Sequence, residues 1–139
     1  MSLQKGFSLI EIMVVVVILG ILASIVVPKI ISRPDEARVV KAKQDVLAIQ
    51  SALDLYKLDN GLYPSTDQGL QALVEKPSIE PLARDWKQYL KSVPKDPWGR
   101  DYVYLNPGEH GEVDIYSLGR DGQSGGEKID ADIGSWNVQ

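Results

Sequence analysis

From Phe7 to Val27 the chain is apolar or small with a single charged position, Glu11, and the run ends at Pro28. As a helix rising about 1.5 Å per residue it would reach about 31 Å, the thickness of a bilayer's hydrocarbon core. A secretory signal peptide has a shorter apolar core followed by a small-residue cleavage site, so this run reads as an anchor that is kept. Further on, Val39, Ala42, Val46, Ile49, Leu53 and Tyr56 recur at alternating steps of three and four. That spacing predicts an amphipathic helix with one apolar stripe, the seat of a sheet. Asp35, Glu36, Arg38, Lys41, Lys43, Asp45 and Asp54 fall on its other faces. Pro28 and Pro34 each lack a backbone donor and are expected to be kink or melt points. Asp59-Asn60-Gly61 supplies the stop.

In "YPSTDQGLQALVEKP" a capping box of Ser65 and Gln68, with Leu70, Leu73 and Val74 as an apolar side, predicts a short second helix ended by Pro77. Residues 78–100 carry Pro81, Trp86, Pro94, Pro97 and Trp98 and read as a loop that packs aromatics down without regular structure. "DYVYLN" and "EVDIYSL", separated by "PGEHG", predict a β-hairpin. The fold class expected is α+β, a lollipop: a long amino-terminal helix, half transmembrane and half amphipathic, packed on a small antiparallel sheet.

Composition narrows the function. The chain has 139 residues, of which about 110 follow Pro28, room for one modest domain. With 15 Lys and Arg against 19 Asp and Glu, a net charge of -4 and a pI near 4.9, it lacks the basic footprint of a nucleic-acid binder. The absence of cysteine excludes disulfides, thiolate metal sites and thiol nucleophiles. His110 is the only histidine, placed in the hairpin turn as an exposed residue, and a Ser-His-Asp arrangement built on it is not expected. The glycines at 119, 122, 125 and 126 follow no phosphate-loop pattern, and Trp86, Trp98 and Trp136 read as core. No catalytic residue is assigned, and an enzyme is not expected.

An ionised carboxylate in a bilayer's middle costs roughly 2.5 to 3.5 kcal/mol, and less near its edge, so Glu11 could be an interfacial acid. Read together, however, "KGFSLIE" resembles the class III signal of type IV pilins and pseudopilins. The resemblance implies that a prepilin peptidase cuts between Gly6 and Phe7 and that Phe7 is then N-methylated. It places Glu11 at the family's acid, where it would neutralise the Phe7 ammonium of a neighbouring subunit. Such a pair in an apolar setting fixes register more than it adds raw stability.

The carboxyl-terminal "SLGRDGQSGGEKIDADIGSW" holds five glycines, with Asp121, Glu127, Asp130 and Asp132 against Arg120 and Lys128. On composition it reads as a solvated, flexible loop. Trp136 argues for a held segment, because a large apolar group gains by packing back onto the head. Clustered carboxylates tolerate one another around a hard cation, and oxygen donors without histidine or cysteine suit calcium better than zinc. The spacing does not match the usual helical calcium loop, since Gly122, Gln123, Ser124 and Gly125 follow Asp121.

Over essentially the whole chain, "ALDLYKLDNGLYP", "TDQGLQALV", "DPWGRDYVYLNPGEHGEVDIYSLGRDG" and "ADIGSWN" resemble the major pseudopilins of the type II secretion system. The resemblance implies a Ca2+ site formed by the side chains of Asp121, Asp130 and Asp132 and the backbone oxygens of Leu118 and Gln123, with Ser117 and Ser124 as further candidates. It divides the chain into a leader (1–6), a transmembrane and filament-core helix (7–28) and a periplasmic head (29–139). The function implied is the major structural subunit of a periplasmic helical filament that drives export of folded proteins. Its partners would be copies of itself, minor pseudopilins, an inner-membrane assembly platform and the prepilin peptidase, and its place the inner membrane with the head in the periplasm. The alternatives are a type IV pilin or minor pseudopilin, and a membrane-tethered calcium-binding module with no assembly role.

Overall fold

The computed structural model describes residues 6–139, apart from the side chains of 26–32. Helix α1 runs from Leu9 to Asn60, and the chain divides into two compact units whose boundary in the sequence falls between Glu36 and Ala37. Helix α1 starts with Glu11 N–H and Ile12 N–H donating to the Ser8 carbonyl, at 3.1 and 3.3 Å. Within the first unit the described apolar side chains up to Ile25 are exposed. Among the described residues no helix is long and apolar enough to cross a membrane. The predicted 7–28 span and the predicted melt point at Pro28 run into side chains outside the described residues, whereas Pro34 lies inside α1.

In the second unit the three-four stripe is buried as its spacing predicts, with Ala42, Val46, Leu53 and Tyr56 at 0 % exposure, and Val39 half-buried at its start. Across this stripe lies a three-stranded antiparallel sheet of β1 (Val103–Leu105), β2 (Asp114–Ser117) and β3 (Ile133–Gly134), in that order. Tyr104 pairs with Ile115 in the predicted hairpin, and Ser117 pairs with Ile133 on the far side of β2. Tyr102, Tyr104, Val113 and Ile115 meet Val46, Ile49, Leu53 and Tyr56 in one core. The strand at Ile133–Gly134 has no alternating pattern to announce it; it exists because the carboxyl-terminal loop returns there.

The predicted second helix is shorter than expected. Only one 3₁₀ turn forms, over Leu70–Leu73. Its capping box is nevertheless made: Gln68 N–H donates to Ser65 Oγ at 3.2 Å and Ser65 N–H to Gln68 Oε1 at 2.9 Å. Gly69 then turns the chain at φ +61°, a left-handed value that glycine adopts freely. The Gln68 amide meanwhile donates to the carbonyls of Ile79 and Pro81, both at 2.8 Å, so this residue serves the following loop. Residues 78–100 carry no helix or named strand, and they pack aromatics down as expected. Trp86 and Tyr89 lean on the core, and Trp86 Nε1–H donates to the Ala72 carbonyl at 2.7 Å.

Candidate functional sites

At the amino terminus the structure places Gly6, Phe7 and Ser8 before the helix and Glu11 in its first turn. An acid there is favoured by the unpaired N–H groups of the helix start. Phe7 is 79 % exposed, and Leu9 and Ile10 are similarly open, so the described part of the segment presents one acid among apolar side chains with no cover from its own chain. Lys5 lies outside the described residues.

At the carboxyl terminus the loop between β2 and β3 is strapped across itself. Arg120 N–H donates to the Ile129 carbonyl at 3.0 Å, and Asp132 N–H to the Gly125 carbonyl at 3.2 Å. Gly125 N–H returns to Asp132 Oδ2 at 3.0 Å. Asn137 Nδ2 holds the Asp132 carbonyl at 3.0 Å. The sequence-predicted ligands take unequal parts. Asp121 Oδ1 accepts the Gln123 N–H at 3.0 Å, which folds the exposed tip. Asp130 is gripped by both ends of Arg120, Nε at 2.9 Å and Nη2 at 3.1 Å. Asp132 keeps a buried Oδ1 for which there is no hydrogen-bond partner among the described residues.

Among the described residues no group of three or more acids or histidines is gathered to hold a metal ion. The unpartnered Asp132 oxygen is the feature that fits a cation, since a buried carboxylate oxygen without a donor carries a desolvation penalty that a positive ion would remove. Ser117 is fully buried and occupied: its hydroxyl donates to Asp96 Oδ2 at 2.8 Å and accepts the Gly119 N–H at 3.3 Å. Leu118 is half-buried just beyond it, and Ser124 is exposed.

Two clusters escaped the sequence reading. His110 is tied to buried Asp114, whose Oδ2 accepts its Nδ1 at 3.0 Å, its N–H at 3.0 Å and the Glu109 N–H at 2.8 Å. Burial alone would raise the Asp114 carboxyl, but these donors outweigh it and hold its pKa below the usual carboxylate value. The four-residue spacing of His110 and Asp114 across a turn was the available signal. The second cluster is Asp96 and Arg100 in "DPWGR". Asp96 Oδ1 accepts the N–H groups of Trp98 and Arg100 at 3.0 and 2.8 Å, and the Arg100 guanidinium reaches the carbonyls of Gly119 and Arg120. Aspartate before proline is a turn signal, but the reach to residue 119 is not visible in it.

Comparison with known proteins joins these two ends of the chain to one family. The family model for type II secretion system protein G matches residues 29–136, and the prokaryotic N-terminal methylation motif matches residues 1–27. The chain belongs to the type II secretion system protein G family. A family member from Pseudomonas aeruginosa, a type II secretion system core protein G, is 61 % identical over 96 % of both chains. That from Vibrio cholerae is 56 % identical over 100 % of this chain and 96 % of its own. Among solved structures, the major pseudopilin of the type 2 secretion system of enterohaemorrhagic Escherichia coli is 46 % identical, with a TM-score of 0.67 over 76 % of this chain and 87 % of that one. Protein G is a structural pseudopilin, which agrees with the function and family read from the sequence.

Proposed function

We propose that this chain is the major subunit of a type II secretion pseudopilus, cut between Gly6 and Phe7 and methylated at the new amino terminus. The apolar stretch with its single acid carries this reading. An exposed apolar surface of this length marks a membrane or assembly interface. Residues 7–28 anchor the subunit in the inner membrane, with the head in the periplasm. As subunits leave the bilayer, Glu11 of one neutralises the Phe7 ammonium of the next and sets their axial stagger. Copies of this chain form the bulk of the filament; minor pseudopilins, an inner-membrane assembly platform and the prepilin peptidase are its other partners. The growing filament pushes folded proteins towards an outer-membrane channel.

The test has two arms. Mass measured on protein isolated from membranes is expected to lack residues 1–6 and to carry an added methyl group. Glu11→Gln and Glu11→Ala are expected to insert normally and fail to assemble; normal filaments from either would refute the charge pairing.

The head's loop is proposed to bind Ca2+. Asp132 is the strongest ligand candidate, Asp121 and the backbone oxygens of Leu118 and Gln123 complete an oxygen donor set, and Asp130 joins only by releasing Arg120. The ion would supply positive charge to the buried Asp132 Oδ1 and cross-link the two sides of the loop. At a hundredfold excess over Kd it would add about 2.7 kcal/mol, a large share of a small head's stability. A chelator is expected to lower the melting temperature, and an unchanged melting temperature with and without calcium would dispose of the metal.

A further inference from the structure

We propose that Arg100 is a positioning residue for the cation-binding loop, holding the backbone after β2 in its binding shape before an ion arrives. The inference rests on the calcium reading above and concerns residues that reading does not use.

The Asp96 side chain is 1 % exposed and is the fixed point. One oxygen closes its own turn on the N–H groups of Trp98 and Arg100, and the other takes the Ser117 hydroxyl at 2.8 Å. The turn is closed again through the backbone, Asp96 N–H to the Arg100 carbonyl at 2.7 Å and Gly99 N–H to the Asp96 carbonyl at 2.9 Å. A single buried carboxylate therefore fixes both the root of Arg100 and the end of β2.

From that root Arg100 Nη2 donates to the Gly119 carbonyl and, at 3.3 Å, to the Arg120 carbonyl. Gly122 folds over the guanidinium, with φ +68° and so little room that an added Cβ would stand 2.9 Å from Nη1. On the other side the Gly119 N–H rests on Ser117 Oγ at 3.3 Å. The peptide planes on either side of Gly119, including the one that bears the Leu118 carbonyl, are thereby oriented without metal. A backbone segment that is already oriented loses less freedom on binding, which raises affinity.

The guanidinium is suited to this because its donors lie in a rigid planar fork, whereas a lysine ammonium is a point charge on a flexible stem. Its charge acts in the opposite sense, since a cation near the site repels an incoming cation. Removing the residue therefore weakens binding if positioning dominates and tightens it if repulsion dominates.

The experiment is isothermal titration of the detergent-solubilised full chain with calcium chloride, for the wild type, Arg100→Lys and Arg100→Gln, with amide exchange followed at residues 117–122. Both variants are expected to bind about 10- to 100-fold more weakly, the range typical of lost outer-shell support. Exchange at 119–121 should be faster than wild type without calcium and return to the wild-type rate at saturating calcium, a rescue that mere loss of fold would not show. Arg100→Met, which keeps an unbranched side chain but removes its donors and its charge, should weaken binding in the same direction and serves if the other Arg100 variants do not fold. An unchanged or tighter Kd in the variants that fold overturns the positioning role and leaves the calcium reading standing. A wild-type chain that takes up no calcium overturns both.

Discussion

The imidazole of His110 lies face to face with the indole of Trp136, their centroids 3.8 Å apart and their planes 13° from parallel. This stack joins the β1–β2 turn to the segment after β3, with Tyr116 tilted against the same indole at 5.4 Å. The sequence predicts that Trp136 packs back onto the head and that His110 is an exposed turn residue. Both expectations hold, and the structure adds a role for the exposed turn residue: its ring, hydrogen-bonded to Asp114, is held where the indole needs a flat partner.

His110→Ala is therefore expected to destabilise the head by about 0.5–1.5 kcal/mol, the worth of an aromatic stack. Near-UV circular dichroism should lose intensity from the tryptophan as the urea midpoint falls. An unchanged tryptophan signal would show that Trp136 is held by other contacts.

The Asp114 carboxyl gives the head a component of acid sensitivity. Its folded pKa is depressed, so its contribution is fully present above the unfolded value of about 3.9 and is lost as pH falls through the lower folded value. Asp114→Asn should lower stability at neutral pH by about 1–3 kcal/mol, because an amide leaves donors unmatched in a buried site. It should also flatten the fall in stability below about pH 4. Urea midpoints measured from pH 2 to 7 check both; a parallel shift at every pH would remove Asp114 as the titrating group.

Gln68 ties its own capping box to the carbonyls of Ile79 and Pro81. Gln68→Glu replaces the donating amide by a carboxylate facing two carbonyl oxygens, so it should be more destabilising than Gln68→Ala. The alanine variant is expected to lose about 1–3 kcal/mol, with an unchanged denaturant slope. Glutamate tolerated better than alanine would contradict this account.

Two leucines of α1 separate core from surface. Leu53 is 0 % exposed and Leu58 is 78 % exposed. Leu53→Ala should lose about 2–5 kcal/mol through transfer and cavity effects, and Leu58→Ala should stay within about 0.5 kcal/mol in the isolated subunit. Thermal melts of the two variants side by side decide it.

Local pattern made the long helix, its buried stripe, the hairpin and the family legible, because periodicity and short motifs are properties of neighbouring residues. Ser65 and Gln68 show the limit: the capping box formed where the spacing placed it, yet Gly69 and the pull of the 79–81 loop left one 3₁₀ turn in place of a helix. The candidate ligands of the loop were legible as residue types only. Nothing in their spacing could show that Asp130 closes on Arg120 while Asp132 keeps a bare oxygen.

The sequence by itself determined which face of the helix is buried, where the strands of the hairpin fall and which motif opens the chain, since each depends on residues a few positions apart. Only the tertiary structure decided that Ile133–Gly134 joins the sheet, that Asp96 anchors both Arg100 and Ser117, and that His110 serves Trp136. Apart from the local Asp96–Arg100 turn, those contacts join residues far apart in the sequence, and they depend on the path by which the folded chain returns to itself.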